Sequence, residues 1–110
     1  MESKEFGHST VMNFKSKVEY SAEGIVSKRV LQKEKGNVSL FAFDQGQQLS
    51  EHSAPFDALV QVLEGTAEIK IDGKPYRLGE GESVIMPANI PHAVFAPEKF
   101  KMLLTMIKSE

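Results

Sequence analysis

The chain has 110 residues, 41% of them hydrophobic, and a formal charge of −2 at pH 7. This is the length of one domain and the composition of a globular rather than a disordered chain. Its basic residues (Lys28, Arg29, Lys33, Lys35, Lys70, Lys74, Arg77) are dispersed among acids, which excludes the basic patch nucleic acid needs, and the lack of cysteine excludes disulfides and thiolate chemistry.

Residues 1–13 are polar and without a period, so a mobile N-terminal segment is expected ahead of one domain over 14–110. MESKEFGHST lacks the apolar core of a signal peptide, and no apolar run nears the roughly 18 residues of a bilayer span, so a cytoplasmic protein without a membrane partner is expected. Phe14 to Tyr20 reads as an edge strand or one helical turn. Ile25–Gln32 and Val38–Phe43 are rich in β-formers and flank the turn signal Glu34-Lys35-Gly36-Asn37, which predicts a hairpin. Ala58–Leu63 is apolar on both faces, the pattern of a strand covered on both sides. Ala67–Ile71 alternates and meets Pro75–Leu78 through the tight turn Asp72-Gly73. Ser83–Met86, His92–Phe95 and a long Phe100–Ile107 complete the strands. Many short strands with turns every 8–12 residues predict an all-β sandwich or barrel.

Two segments carry the functional signal. In the first, five residues separate Gly46 from His52, and six separate Ala58 from Gly65. In the second, five residues separate Gly81 from Pro87; Asn89 follows, then His92 after two more residues, then Ala96. These spacings resemble the two motifs of the cupin superfamily, specifically a small conserved-barrel protein of the cupin 2 type. The resemblance implies a double-stranded β-helix, or jelly-roll barrel, with a pocket that usually holds a metal. It also implies that Ala54 stands where such proteins carry a second histidine, and Ala58 where they carry a glutamate. Asn89 replaces a motif glycine and, like glycine, tolerates a left-handed backbone.

Strand alternation places His52 and Ala54 on one face and Ala58, Val60 and Val62 on an inward set, with His52 and His92 facing each other across the barrel mouth. By the same parity Gln48 points inward with His52. A histidine among apolar residues is commonly a hydrogen-bonded core residue; the motif context favours a pocket here. The expected ligand pocket comprises His52, His92, Gln48, Ala54, Ala58, Val60, Val62, Met86 and Val94. Two alanines in place of a histidine and a glutamate make it wider and less polar, suited to a small, largely apolar molecule with the histidines as polar handles.

The competing expectation is a metal-dependent enzyme of the dioxygenase or isomerase type, with Zn, Ni, Fe or Mn on His52 and His92. Catalytic zinc has three protein ligands and the iron triad adds a carboxylate, so a third ligand would come from Gln48 or from Asp57 at a bulge near Pro55. No nucleophile with a base at motif spacing and no phosphate loop is present. A homodimer is expected from the outward apolar residues Leu59 and Leu63.

Overall fold

The computed structural model describes residues 5–108. Among them are nine strands: β1 (Ile25–Lys33), β2 (Gly36–Phe43), β3 (Gln48–His52), β4 (Phe56–Glu64), β5 (Ala67–Ile71), β6 (Lys74–Leu78), β7 (Ser83–Met86), β8 (His92–Phe95) and β9 (Phe100–Lys108). They form two antiparallel sheets, β1-β2-β9-β4-β7 and β3-β8-β5-β6. Strands distant in sequence are neighbours in both sheets, which is the jelly-roll arrangement the motif spacings implied. The helical option holds for Phe14–Ser16, a single 3₁₀ turn whose first amides Asn13 caps through Lys15 N–H.

The turn chemistry explains the local register. Asp72 and Gly73 both take positive φ, 54° and 82°, as a two-residue hairpin turn between β5 and β6 requires. Asn89 takes φ 66°, so it supplies the left-handed residue of the motif glycine it replaces. Pro87 and Pro91 both follow trans bonds.

Between the sheets lies one core of inward side chains, including Phe43, Val60, Val62, Ile69, Val94, Phe100 and Met102. Phe43 and Phe100 stack with centroids 4.6 Å apart, an aromatic pair worth about 1 kcal/mol beyond its buried area. A second cluster lies on the outer face of the five-stranded sheet, where Val18 covers Leu40 and Ala42 and Phe6, Phe14 and Tyr20 pack around them. Of the N-terminal stretch, residues 1–4 lie outside the described residues; Glu5 pairs with Lys28 at 2.6 Å.

Polar contacts fasten this outer layer. Tyr20 donates to Glu64 Oε2 at 2.6 Å, and Lys101, 7% exposed, donates to the Lys15 carbonyl at 2.6 Å. Burial and the adjacent Glu64 carboxylate push the Tyr20 phenol above its ordinary range, so it stays a donor. Among the described residues no helix is long and apolar enough to cross a membrane.

Candidate functional site

His52 closes β3 and His92 opens β8, and the two are direct cross-strand partners. Their rings meet edge to face with centroids 4.4 Å apart. The expectation that they oppose each other across the barrel mouth is corrected: they stand side by side on one sheet, a consequence of β3 pairing with β8. His92 is buried and His52 exposed, so the pair runs from the interior to solvent.

A bulge sets this geometry. Leu49 pairs with Val94 and His52 with His92, three steps along β3 against two along β8. The extra residue reverses side-chain parity across the bulge. Leu49 therefore packs on the core while Gln48 pairs with exposed Phe95 on the outer face. The inward placement of Gln48 is thus overturned, because parity counting assumed an unbroken strand. On that outer face Gln48 lines a groove of about 460 Å³ with Glu51, Glu68, Lys70 and Phe95, away from the histidines.

Each imidazole is oriented by its own chain. His52 Nδ1 lies 2.8 Å from the Ser50 carbonyl oxygen, and His92 Nδ1 lies 3.2 Å from that of Ile90. A carbonyl oxygen only accepts, so both rings, assigned from these bonds, carry their proton on Nδ1 and keep a lone pair on Nε2. Sequence reasoning missed Ser50 and Ile90 because they act through backbone oxygens, which residue identity does not reveal.

Burial lowers the His92 pKa below its ordinary 6.5; the Ile90 bond raises it by less, and the nearby His52 lowers it by less still. The unfolded chain then binds the proton more readily than the folded one. Stability contributed by neutral His92 is present above about pH 6.5 and is lost as pH falls toward the folded-state value. Urea midpoints measured at pH 7.5 and 5.5 should show this decline, and His92→Gln should make it shallower. An unchanged slope in the variant would remove the assignment.

The remaining expected residues fall into two groups. Ala58, Val60, Val62, Met86 and Val94 all point inward, each no more than 3% exposed, and pack within the main core. The deep barrel is therefore filled by side chains, and the wide cavity expected from the alanines is corrected to the open end. There Ala58 pairs with both Met86 and half-buried Met106. The loop from Met86 to His92 joins this row to the histidines, with Ile71 beside His92. Ala54 and Ile90 are half-buried at the same end, and the Ala54 carbonyl accepts from Asn89 N–H at 2.8 Å. Asp57 Oδ1 accepts from Ala88 N–H at 2.9 Å, so this carboxylate holds the loop in place.

A cupin metal would need more than this pair. Among the described residues no cluster of three or more His, Cys, Asp or Glu is placed to hold an ion. His52 and His92 supply two nitrogens, Gln48 faces away and Asp57 is engaged with the loop, so the side chains present fall short of the three-ligand and facial-triad sets.

Comparison with known proteins agrees with this architecture. The chain is similar to a conserved protein of unknown function from Streptococcus pyogenes, with 38% identity over 97% of this chain and 94% of that one and a TM-score of 0.91. It is also similar to a cupin 2 conserved barrel domain protein from Leptotrichia buccalis, 45% identical over 88% of this chain and 47% of that one, with a TM-score of 0.86. A cupin superfamily protein from Desulfitobacterium hafniense shares 26% identity over 99% of this chain and all of that one, with a TM-score of 0.89. No curated protein matches. The cupin domain family matches residues 39–108, which include both histidine segments and eight of the nine described strands in whole or part, and the chain belongs to that family.

Proposed function

We propose that this cupin binds a small, largely apolar molecule at the open end of its barrel, with His52 and His92 as the polar handles. The observation that carries the reading is the paired imidazole orientation: both Nδ1–H groups are occupied by backbone carbonyls, leaving two Nε2 acceptors. We assign the wall of the site to apolar side chains of that open end, half-buried Ala54, Ile71 and Met106 and buried Met86. Such a site takes a ligand that donates hydrogen bonds at one edge and is otherwise apolar, for example a phenol or an aromatic diol. A neutral His92 suits a neutral ligand, since no fixed cation is needed to bind it.

The alternative, a metal-dependent dioxygenase or isomerase with a reduced ligand set, draws on the same two nitrogens but has no third side chain to complete it. Native mass spectrometry of the untagged protein, followed by titration with phenol and catechol, tests the first reading. Stoichiometric binding that drops at least tenfold in His52→Ala and in His92→Gln is expected. Binding indifferent to both substitutions, or none at millimolar ligand, would sink it.

A further inference from the structure

The strands that carry the histidines have a second side. His52 and His92 stand on the inner face, and on the outer face β3, β8 and β5 form a groove of about 460 Å³. That volume falls within the roughly 300–1,000 Å³ of small-molecule sites. The bulge builds it. Leu49 pairs with Val94 and His52 with His92, so Ser50 and Glu51 together stand against the single residue Ala93. Two side chains on one strand against a methyl group on the next make a step in the sheet surface.

The register fixes what surrounds the step. One cross-strand row runs Gln48, Phe95, Glu68, Arg77, and the next runs Ser50 with Glu51, then Ala93, Lys70, Pro75. In the first row the charges neutralise each other, with Arg77 on Glu68 at 3.3 Å. In the second, neither Glu51 nor Lys70 has an ion-pair partner among the described residues. Both are exposed and both line the groove. They lie on either side of half-buried Ala93, on strands two spacings, or about 10 Å, apart. Phe95, 37% exposed, brings an aromatic ring to the same groove.

We infer that this groove binds a zwitterionic amino acid with an aromatic or large aliphatic side chain. Its ammonium pairs with Glu51, its carboxylate with Lys70, and its side chain lies over Ala93 against Phe95. Charge complementarity selects this class. An anion alone would meet Glu51 as a like charge, and a cation alone would meet Lys70 so, whereas a zwitterion matches both. A bare ion pair would leave the ring and the methyl floor without contact. The groove differs from the histidine site in face and in chemistry, since the imidazoles offer lone pairs and the groove offers two opposite charges.

Exposure sets the strength. Solvent-exposed ion pairs are weak and screened by salt, so the dissociation constant is on the order of 1 mM and rises with ionic strength.

Amide chemical-shift titration at low salt with L-phenylalanine, hydrocinnamate and phenethylamine tests this, because the last two each lack one charge. Phenylalanine should move the amides around Glu51, Ala93 and Lys70 and bind at least about threefold more tightly than either analogue. Glu51→Gln should abolish the preference over hydrocinnamate, and Lys70→Gln the preference over phenethylamine. Both positions are exposed, and circular dichroism checks that the variants fold. Ile85→Gln, 61% exposed on the other sheet, should leave all three affinities unchanged. Absence of a groove response at about 30 mM phenylalanine overturns the proposal. So do equal affinities for the three ligands, or preferences that survive both substitutions. Shifts confined to the inner site, at His92, Ile71 and Met86, also overturn it and move the ligand to the histidines.

Discussion

Gly65→Ala should remove most of the stability of the fold, with a loss of about 4 kcal/mol or more out of the roughly 5–15 kcal/mol typical of a domain. Gly65 turns the chain from β4 into β5 with φ +80°, a region that costs an L-residue about 1–2 kcal/mol. A Cβ there would also sit 2.2 Å from the Lys99 carbonyl oxygen and 2.8 Å from Phe100 Cα, so backbone must move. Phe100 is fully buried and stacks on Phe43, so the movement spreads into the core. Gly46→Ala and Gly81→Ala provide the contrast. Both positions have similar φ, 86° and 85°, yet nothing lies within 4 Å of an added Cβ, so each should cost only about 1 kcal/mol. Urea unfolding of the three variants decides the point. Equal losses would show that φ alone, and not the approach of Lys99, fixes glycine at 65.

The fold was legible because its signals are local. Period-2 alternation in Ala67–Ile71, the Asp72-Gly73 turn and the glycine and histidine spacings each survive in the structure with few shifts of boundary. The site was only partly legible. His52, His92, Ala58 and Met86 come to one end of the barrel as their motif positions implied, but Gln48 does not, since one bulged residue reverses a whole strand's parity. Bulges have no reliable residue signature, so counting by twos fails at them without warning. The filled interior was hidden for a different reason. Replacing large residues by Ala54 and Ala58 suggests space, yet whether neighbours such as Met86, Val60 and Val62 close it is a property of packing between two sheets, and sequence order does not carry it. The dispersed outward apolar residues of β4 likewise divided in two: Leu63 is covered by the chain's own N-terminal layer, while half-buried Leu59 pairs with exposed Ile85.

Rebuilding the two replaced motif positions should turn this barrel into a metal-binding one. Ala58→Glu alone is expected to destabilise by about 3 kcal/mol or more, because Ala58 is 2% exposed, paired with both Met86 and Met106, and a carboxylate there is desolvated and crowded. Adding Ala54→His gives the same end of the barrel three imidazoles and one carboxylate, a complete set for zinc or nickel. A metal that binds only the folded chain then adds stability by mass action, about 2.7 kcal/mol at a hundredfold excess over its dissociation constant. The double variant should therefore melt below the natural chain in chelator and recover most of the difference in zinc, whereas the natural chain should respond weakly to either. The recovery depends on Ala54 and Ala58 sharing the space beside His52 and His92. Thermal melts of both proteins with zinc and with chelator measure it directly. If the double variant shows no larger metal response than the natural chain, the two alanines do not face the histidine pair, and the wall assigned to the ligand site would have to be redrawn.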